Sequence, residues 1–347
     1  MIEIGQGELD LQSDSETLWA ALALSCVTSR PFTWTGFRRK AQDKGFTQLE
    51  ADGIRLFAAL CDARLEGGEP GTSSAAFTPG PLASGEYAFE LSGRRSMLGL
   101  LRHILVVLAM APDRSTLALT GSTHAVDGDT FDATETTWCH FVREAGVTID
   151  VRLERTGFAP RGGGEVVASV AGGGVEAVSW TKRGALDEIR IVSAGAAVPT
   201  HVQQRQAARA RAAVHISGIE PTVQLMKLRA KNAGSVVAVT GRFGRLPITF
   251  AAVGGRGISA ETVGESAAIR LRRYTRQSAV VIDPFVESLL VLLAFAEGPS
   301  AFTAQSLEAS GIGVSKLIRV FTGRHVSVEG KVGDSARFNI DSPSLQT

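Results

Sequence analysis

Arginines carry most of the chemistry that the residue types allow. Arg38 stands in a basic loop, FRRKAQDKG (37–45), and Arg94 and Arg95 stand in SGRRS, where a helix is predicted to begin at Ser92 or Ser96. Arg102 lies on that helix, and Arg161 closes the segment RTGFAPR. A guanidinium is a planar fork of donors that matches carboxylate or phosphate oxygens, so these five residues fit an anion clamp. Two arginines at a helix start oppose the helix dipole unless an anion sits beside them. A bound anion and a solvated cap both account for Arg94 and Arg95; a solvated turn and an anion contact both account for Arg38. Two further basic runs, Arg205, Arg209 and Arg211, then Arg270, Arg272 and Arg273, read singly as solvated helix faces and together as a surface for nucleic acid or an acidic partner. The formal net charge is only +1, so contact with nucleic acid has to come from such local clusters.

The other chemistry-bearing residues offer less. His124, in the loop GSTHAVDGD, reads as solvent-exposed. His201 and His215 bracket a predicted helix at the wrong spacing for a shared metal, whose ligands on one helix face stand three or four residues apart. Cys26, Cys61 and Cys139 show no paired spacing, which predicts reduced thiols in a cytoplasmic protein rather than a zinc site or a disulfide framework. Gly162–Gly164 imitates a phosphate loop, but EVVASV (165–170) alternates like a strand, so no helix start follows it. The triplet therefore reads as architectural, with Arg161 as its anion contact.

The elements that must position these groups follow from periodicity. Helices are predicted over Thr17–Thr28, Gln48–Ala63, the stretch after Ser96, Thr134–Ala145, Thr200–Ala213, Ala260–Gln277 and Phe285–Phe295, with another around Ile312–Phe321. Phe285–Phe295 is apolar almost throughout, which predicts burial on most sides. Alternating runs at 32–35, 75–79, 87–91, 115–120, 147–155, 186–193, 222–229, 235–242 and 248–253 predict strands, and strands also close the chain over 326–339. The beginning of the chain, MIEIGQGELDLQSDSE, lacks the apolar run of a signal peptide, and Leu100–Ala111 and Phe285–Phe295 are too short to span a bilayer.

Several segments, taken together, resemble the RNA 3'-terminal phosphate cyclase family within the enolpyruvyl transferase/cyclase superfamily. They are PFTWTGFRR (31–39), AFTPGPLASGEYAFELSG (76–93), LTGSTH (119–124), RTGFAPRGGGEVV (155–167), PTHVQQRQ (199–206), AETVGESAA (260–268), VIDPFVESLL (281–290) and LAFAEGPSAFT (293–303). The resemblance implies an α+β fold. Three repeated βαβ-type units, each a sheet backed by two helices, form a large domain over 1–180 and 279–347, and a smaller α/β domain is inserted at 181–278. It also implies a chemistry: a histidine attacks the α-phosphate of ATP, carries AMP, and passes it to an RNA 3'-phosphate that then closes to a 2',3'-cyclic phosphate. Arg38 matches a family arginine facing RNA phosphates, and Gly93–Ser96 matches a ligand-facing turn.

The family pattern is broken at three places. Ser310 falls where the histidine belongs, with Gly313 and Val314 in place of the Thr-Asn that follows it. Ser288-Leu289 replaces an Asp-Gln pair, with Glu287 one residue early. Ser13, Asp14 and Ser15 replace three glycines of a phosphate-approaching loop, and Gln6-Gly7-Glu8 is a remnant shifted too far upstream. A serine hydroxyl is a weak nucleophile without an adjacent base. The leading expectation is a cyclase-like protein without self-adenylylation that binds RNA 3' ends, a nucleotide or a protein partner. The family's eukaryotic ribosome-biogenesis branch, which also lacks the histidine, is a precedent. Glu287, Ser288 and the five arginines are then ligand contacts, and Ser310 is an inactive remnant. One alternative is an active cyclase using ATP and Mg2+ or Mn2+, with His325 or another histidine as nucleophile. The other is a transferase clamping a small anionic metabolite on the same arginines.

Overall fold

The computed structural model describes residues 1–5, 9–39, 44–93, 95–126 and 128–343. Gln6-Gly7-Glu8, Lys40 and Arg94 lie outside the described residues. In chain order the elements begin with β1 (Ile2–Ile4), α1 (Ser15–Thr28), β2 (Phe32–Trp34), α2 (Gln48–Leu60), β3 (Arg64–Gly67) and β4 (Ala75–Thr78). A second set follows: β5 (Glu86–Glu90), α3 (Leu98–Ala109), β6 (Ser115–Gly121), α4 (Phe131–Ala133), a π-turn (Thr134–Trp138), α5 (Cys139–Glu144), β7 (Thr148–Arg155) and β8 (Gly164–Ala171). After β9 (Ser179–Trp180) come β10 (Leu186–Ala196), α6 (Thr200–Val214), β11 (Thr222–Lys227), β12 (Gly234–Phe243), β13 (Leu246–Val253) and α7 (Ala260–Thr275). The chain ends with a 3-10 turn (Asp283–Phe285), α8 (Val286–Leu293), β14 (Ser300–Ala304), α9 (Ala309–Thr322), β15 (Val326–Glu329) and β16 (Ala336–Ile340).

One pattern is laid down three times. The sheets run β1-β2-β4-β3, β5-β6-β8-β7 and β9-β14-β16-β15. In each, the first pair is parallel and the other two are antiparallel. The fourth sheet, β11-β10-β12-β13, interrupts the third repeat between β9 and α8 and carries α6 and α7. This is the α+β architecture that the resemblance implied.

Burial explains the pattern. β6 and β8 alternate buried and half-buried residues along their whole length, as a sheet with one covered face requires. All eight residues of α8 are buried, in keeping with its apolar run. α1 is buried continuously from Thr17 to Cys26, because α2, α3, α8 and α9 pack around it. Its beginning is fixed by Asp14, whose carboxylate accepts from the backbone N–H and the hydroxyl of Thr17, both at 2.8 Å. α3 begins at Leu98, later than the sequence suggests, and Leu98 N–H bonds the Ser96 hydroxyl at 3.3 Å. Arg95 therefore precedes the helix instead of opening it.

The inserted sheet's two helices lie close enough to need a glycine. A Cβ on Gly264 would stand 2.1 Å from the Gln206 carbonyl oxygen. This contact aligns their charged faces. Arg205 pairs with Glu261 at 2.7 Å and Arg209 with Glu265 across the two helices, while Arg211 pairs with Glu220 just beyond the end of α6. The basic run on α6 is thus an interlocked, charge-balanced seam. In the glycine triplet, a Cβ on Gly164 would stand 2.5 Å from the backbone of Gly157. Close approach of two chains accounts for that glycine, as its architectural reading expected.

Candidate functional site

A cavity of about 650 Å³ opens where the first turn of α1 meets α3 and the 125–129 loop. Trp19, Leu49 and Leu100 give it one apolar side; Asp14, Glu16 and Asp129 bring three carboxylates to the other, and exposed Arg95 stands on its wall. Asp14 and Ser15, from the turn that the resemblance compares with a glycine loop, both line the cavity.

Asp14 and Glu16 are held in an environment that resists their ionisation. Burial pushes Glu16 up to about 8, and the nearby charges of Glu287, Asp129 and Asp14 add to the rise while Arg102 opposes it. Asp14 is also raised, chiefly by burial. Behind this wall lies Glu287, 4% exposed and pushed up to about 7 by burial, against the lowering effect of its bond from Ser310. Ser310 is the second residue of α9, half-buried, and its hydroxyl donates to Glu287 Oε1 at 2.5 Å.

Arg102 is fully buried; its two terminal nitrogens are bonded inside the protein, while its Nε has no hydrogen-bond partner among the described residues. It bonds Asp129 Oδ2 at 2.6 Å and the Pro284 carbonyl at 2.7 Å, with its guanidinium over the Phe285 ring at 5.1 Å. Glu16 is only a distant partner, at 3.9 Å. Arg38 forms a fork on buried Glu50, at 2.8 and 2.5 Å. The same carboxylate accepts from Thr47 and from Ser15, so Arg38 ties the α2 capping box to the first residue of α1. Ser288 is 1% exposed; its hydroxyl accepts from Trp138 Nε1 at 2.9 Å and donates to the Phe285 carbonyl. Arg161 is exposed in the turn beside Ala159 and Pro160, which line the cavity. The arginines read together from sequence are thus dispersed: Arg95 lines the cavity, Arg161 sits near its rim, and Arg38 and Arg102 are held in internal ion pairs.

Among the described residues, no histidine lines the cavity. His103, unremarked in the sequence, is fully buried on α3 with Nδ1 3.0 Å from the Gly99 carbonyl, and burial pushes it down to about 3. His124 is 1% exposed, contrary to its reading as a solvated loop residue. It is clamped between Asp132 at 2.9 Å and Thr123 at 2.8 Å, partners that a loop sequence does not announce. His325 is exposed beyond the end of α9. At 1.5 Å per residue, the helix puts it about 20 Å from Ser310.

A family model described as RNA 3'-terminal phosphate cyclase matches residues 12–328, and the chain belongs to that family. Among relatives named RNA 3'-terminal phosphate cyclase, the protein of Methylococcus capsulatus is 30% identical over 305 residues, covering 85% of this chain and 84% of its own. That of Ralstonia nicotianae is 28% identical over 324 residues, covering 92% of both. That of Salmonella typhimurium is 29% identical over 299 residues, covering 86% of this chain and 87% of its own. No helix among the described residues is long and apolar enough to cross a membrane.

Proposed function

We propose that this protein binds the 3' end of RNA in the α1–α3 cavity without carrying AMP on its own chain. The observation behind this reading is the Ser310 hydroxyl held on Glu287 at 2.5 Å, at the position where the family resemblance expects a histidine. A serine ester of AMP lacks the labile P–N bond that makes transfer onward favourable.

The residues present do not fit a magnesium triphosphate. A triphosphate would face Asp14, Glu16 and Asp129 with Arg95 as the one lining arginine among the described residues, because Arg102 is committed to Asp129 beneath the surface. The raised carboxyls of Asp14 and Glu16 reflect chiefly their burial, and a triphosphate beside them would bring further negative charge. A terminal ribonucleoside suits the same walls better. Its hydroxyls donate to carboxylates, its base lies against Trp19 and Leu100, and its phosphates remain outside near Arg95 and Arg161.

Two measurements test the reading. The protein is incubated with ATP labelled at the α-phosphate and Mg2+ or Mn2+, and separately titrated with a fluorescent RNA ending in a 3'-hydroxyl or a 3'-phosphate. The expected result is RNA binding with no covalent label. A stoichiometric, acid-labile AMP adduct would overturn it, as would failure to bind either RNA.

A further inference from the structure

A second groove, of about 380 Å³, lies between the inserted sheet and the body of the protein. Its walls come from β13, α7, the Asp283–Phe285 turn and the 128–130 loop. Gly128 and Asp129 line both this groove and the α1–α3 cavity, so the two share a wall, and a strand crossing it would follow one path.

The charge along that path is distinctive. Arg270 and Arg273 line the second groove from α7, three residues apart and therefore on one face of the helix, about 5–6 Å from each other at Cβ. Arg205, Arg209 and Arg211 on α6 are all matched with glutamates, and Arg272 donates to the Ala213 carbonyl. Arg273, by contrast, is exposed, and its guanidinium has no hydrogen bond or ion pair among the described residues. Arg270 donates to the Ala251 carbonyl and has no carboxylate ion pair among the described residues. Two carboxylates share the groove. Asp129 is committed to Arg102, and Asp283 lies across at the turn. The α7 wall is thus the part of the inserted helix pair whose arginines have no carboxylate ion pair among the described residues, with Asp129 near enough to Arg270 to act on its charge, and it faces a groove that adjoins the proposed RNA-end cavity.

We infer that Arg270 and Arg273 hold backbone phosphates of a single-stranded RNA whose 3'-terminal nucleoside occupies the α1–α3 cavity. The inference rests on the RNA-end reading and extends it from the terminal nucleotide to the strand behind it. Sequence alone grouped these arginines with those of α6; the fold separates arginines paired with glutamates from two that have no carboxylate partner among the described residues.

The test compares ligands of two lengths. A nucleoside 3'-monophosphate reports on the cavity alone, and a 5'-labelled RNA dodecamer of mixed sequence reports on cavity and groove. Affinities are measured by competition and fluorescence anisotropy from about 50 to 200 mM salt, a range over which phosphate contacts weaken steeply. Arg273→Ala and Arg270→Ala are each expected to weaken the dodecamer about fivefold, the upper end for an exposed ion pair. Each should reduce the salt slope by about 0.7, as for one lost single-strand phosphate contact. The mononucleotide should bind as before. Arg205→Ala, which removes the same charge from the paired seam, should change neither ligand, and Tm measured on each variant confirms folding. Unchanged dodecamer affinity and slope in both groove variants would overturn the inference while leaving the RNA-end reading intact. An equal loss for both ligands, or an equal loss in Arg205→Ala, would also overturn it. If the native protein binds no RNA of either length, the RNA-end reading and the inference fall together.

Discussion

Replacing Glu287 with glutamine removes one ionisable proton while keeping the shape of the side chain and an oxygen for the Ser310 hydroxyl. In the native protein the Glu287 carboxyl is pushed from its usual 4.5 to about 7 by burial. The folded state then holds the proton more tightly than the unfolded state between those two values. Stability linked to this group is therefore full below about pH 4.5 and falls as pH rises through 7. The gap of about 2.5 pH units corresponds to about 3 kcal/mol at 1.36 kcal/mol per unit. Little solvent screening applies, because Glu287 is only 4% exposed. Glutamine carries no such penalty and also relieves the like charge felt by Glu16. With an unfolding entropy of about 2.1 cal/mol/K per residue over a chain of this length, about 3 kcal/mol is about 4 °C in Tm. Differential scanning fluorimetry from pH 5 to 8.5 should show Glu287→Gln and native protein melting together near pH 5. The variant should melt about 4 °C higher at pH 8. Parallel curves, or a variant that melts lower at pH 8, would refute the assignment of Glu287 as a buried carboxyl starved of positive charge.

Arg38→Ala leaves Glu50 buried and unpaired. It should cost about 3 kcal/mol in urea unfolding, the low end for such a break because Thr47 and Ser15 still donate to the carboxylate. Arg38→Ala/Glu50→Gln should recover most of that loss, an outcome that a surface RNA contact at Arg38 would not produce. Gly264→Ala drives a methyl into the backbone of Gln206 and Ala210. It should destabilise by at least about 1–3 kcal/mol, the range for overpacking, read as a lower Tm. A variant as stable as the native protein would show that α6 and α7 do not approach so closely.

Local pattern made much of this architecture readable. The apolar run from Phe285, the alternation along β6 and β8, and the Asp14 start of α1 each follow from a period of 3.6 or 2 residues, or from one polar side chain finding a backbone N–H nearby. Reading the strand after Gly162–Gly164 as a strand removed a false phosphate loop for the same reason. The absence of histidine at position 310 was likewise visible from residue order once the family resemblance was drawn.

What became of each polar group depended on neighbours far along the chain. Arg102 meets Pro284, 182 residues away, and Ser288 meets Trp138 across 150. Glu50 takes Arg38 from across the capping box, and Ser310 finds Glu287 on another helix. His124, predicted to be solvated, is enclosed by Asp132 and Phe158. The basic runs on α6 and α7 look equivalent in one dimension. Helix packing over Gly264 neutralises the first and leaves Arg270 and Arg273 lining a groove. Periodicity needs only the next few residues, so the chain determined its own helices and strands. Charge compensation and desolvation depend on what closes over a group in three dimensions, so only the tertiary structure decided which carboxyls resist ionisation and which arginines remain free to meet a phosphate.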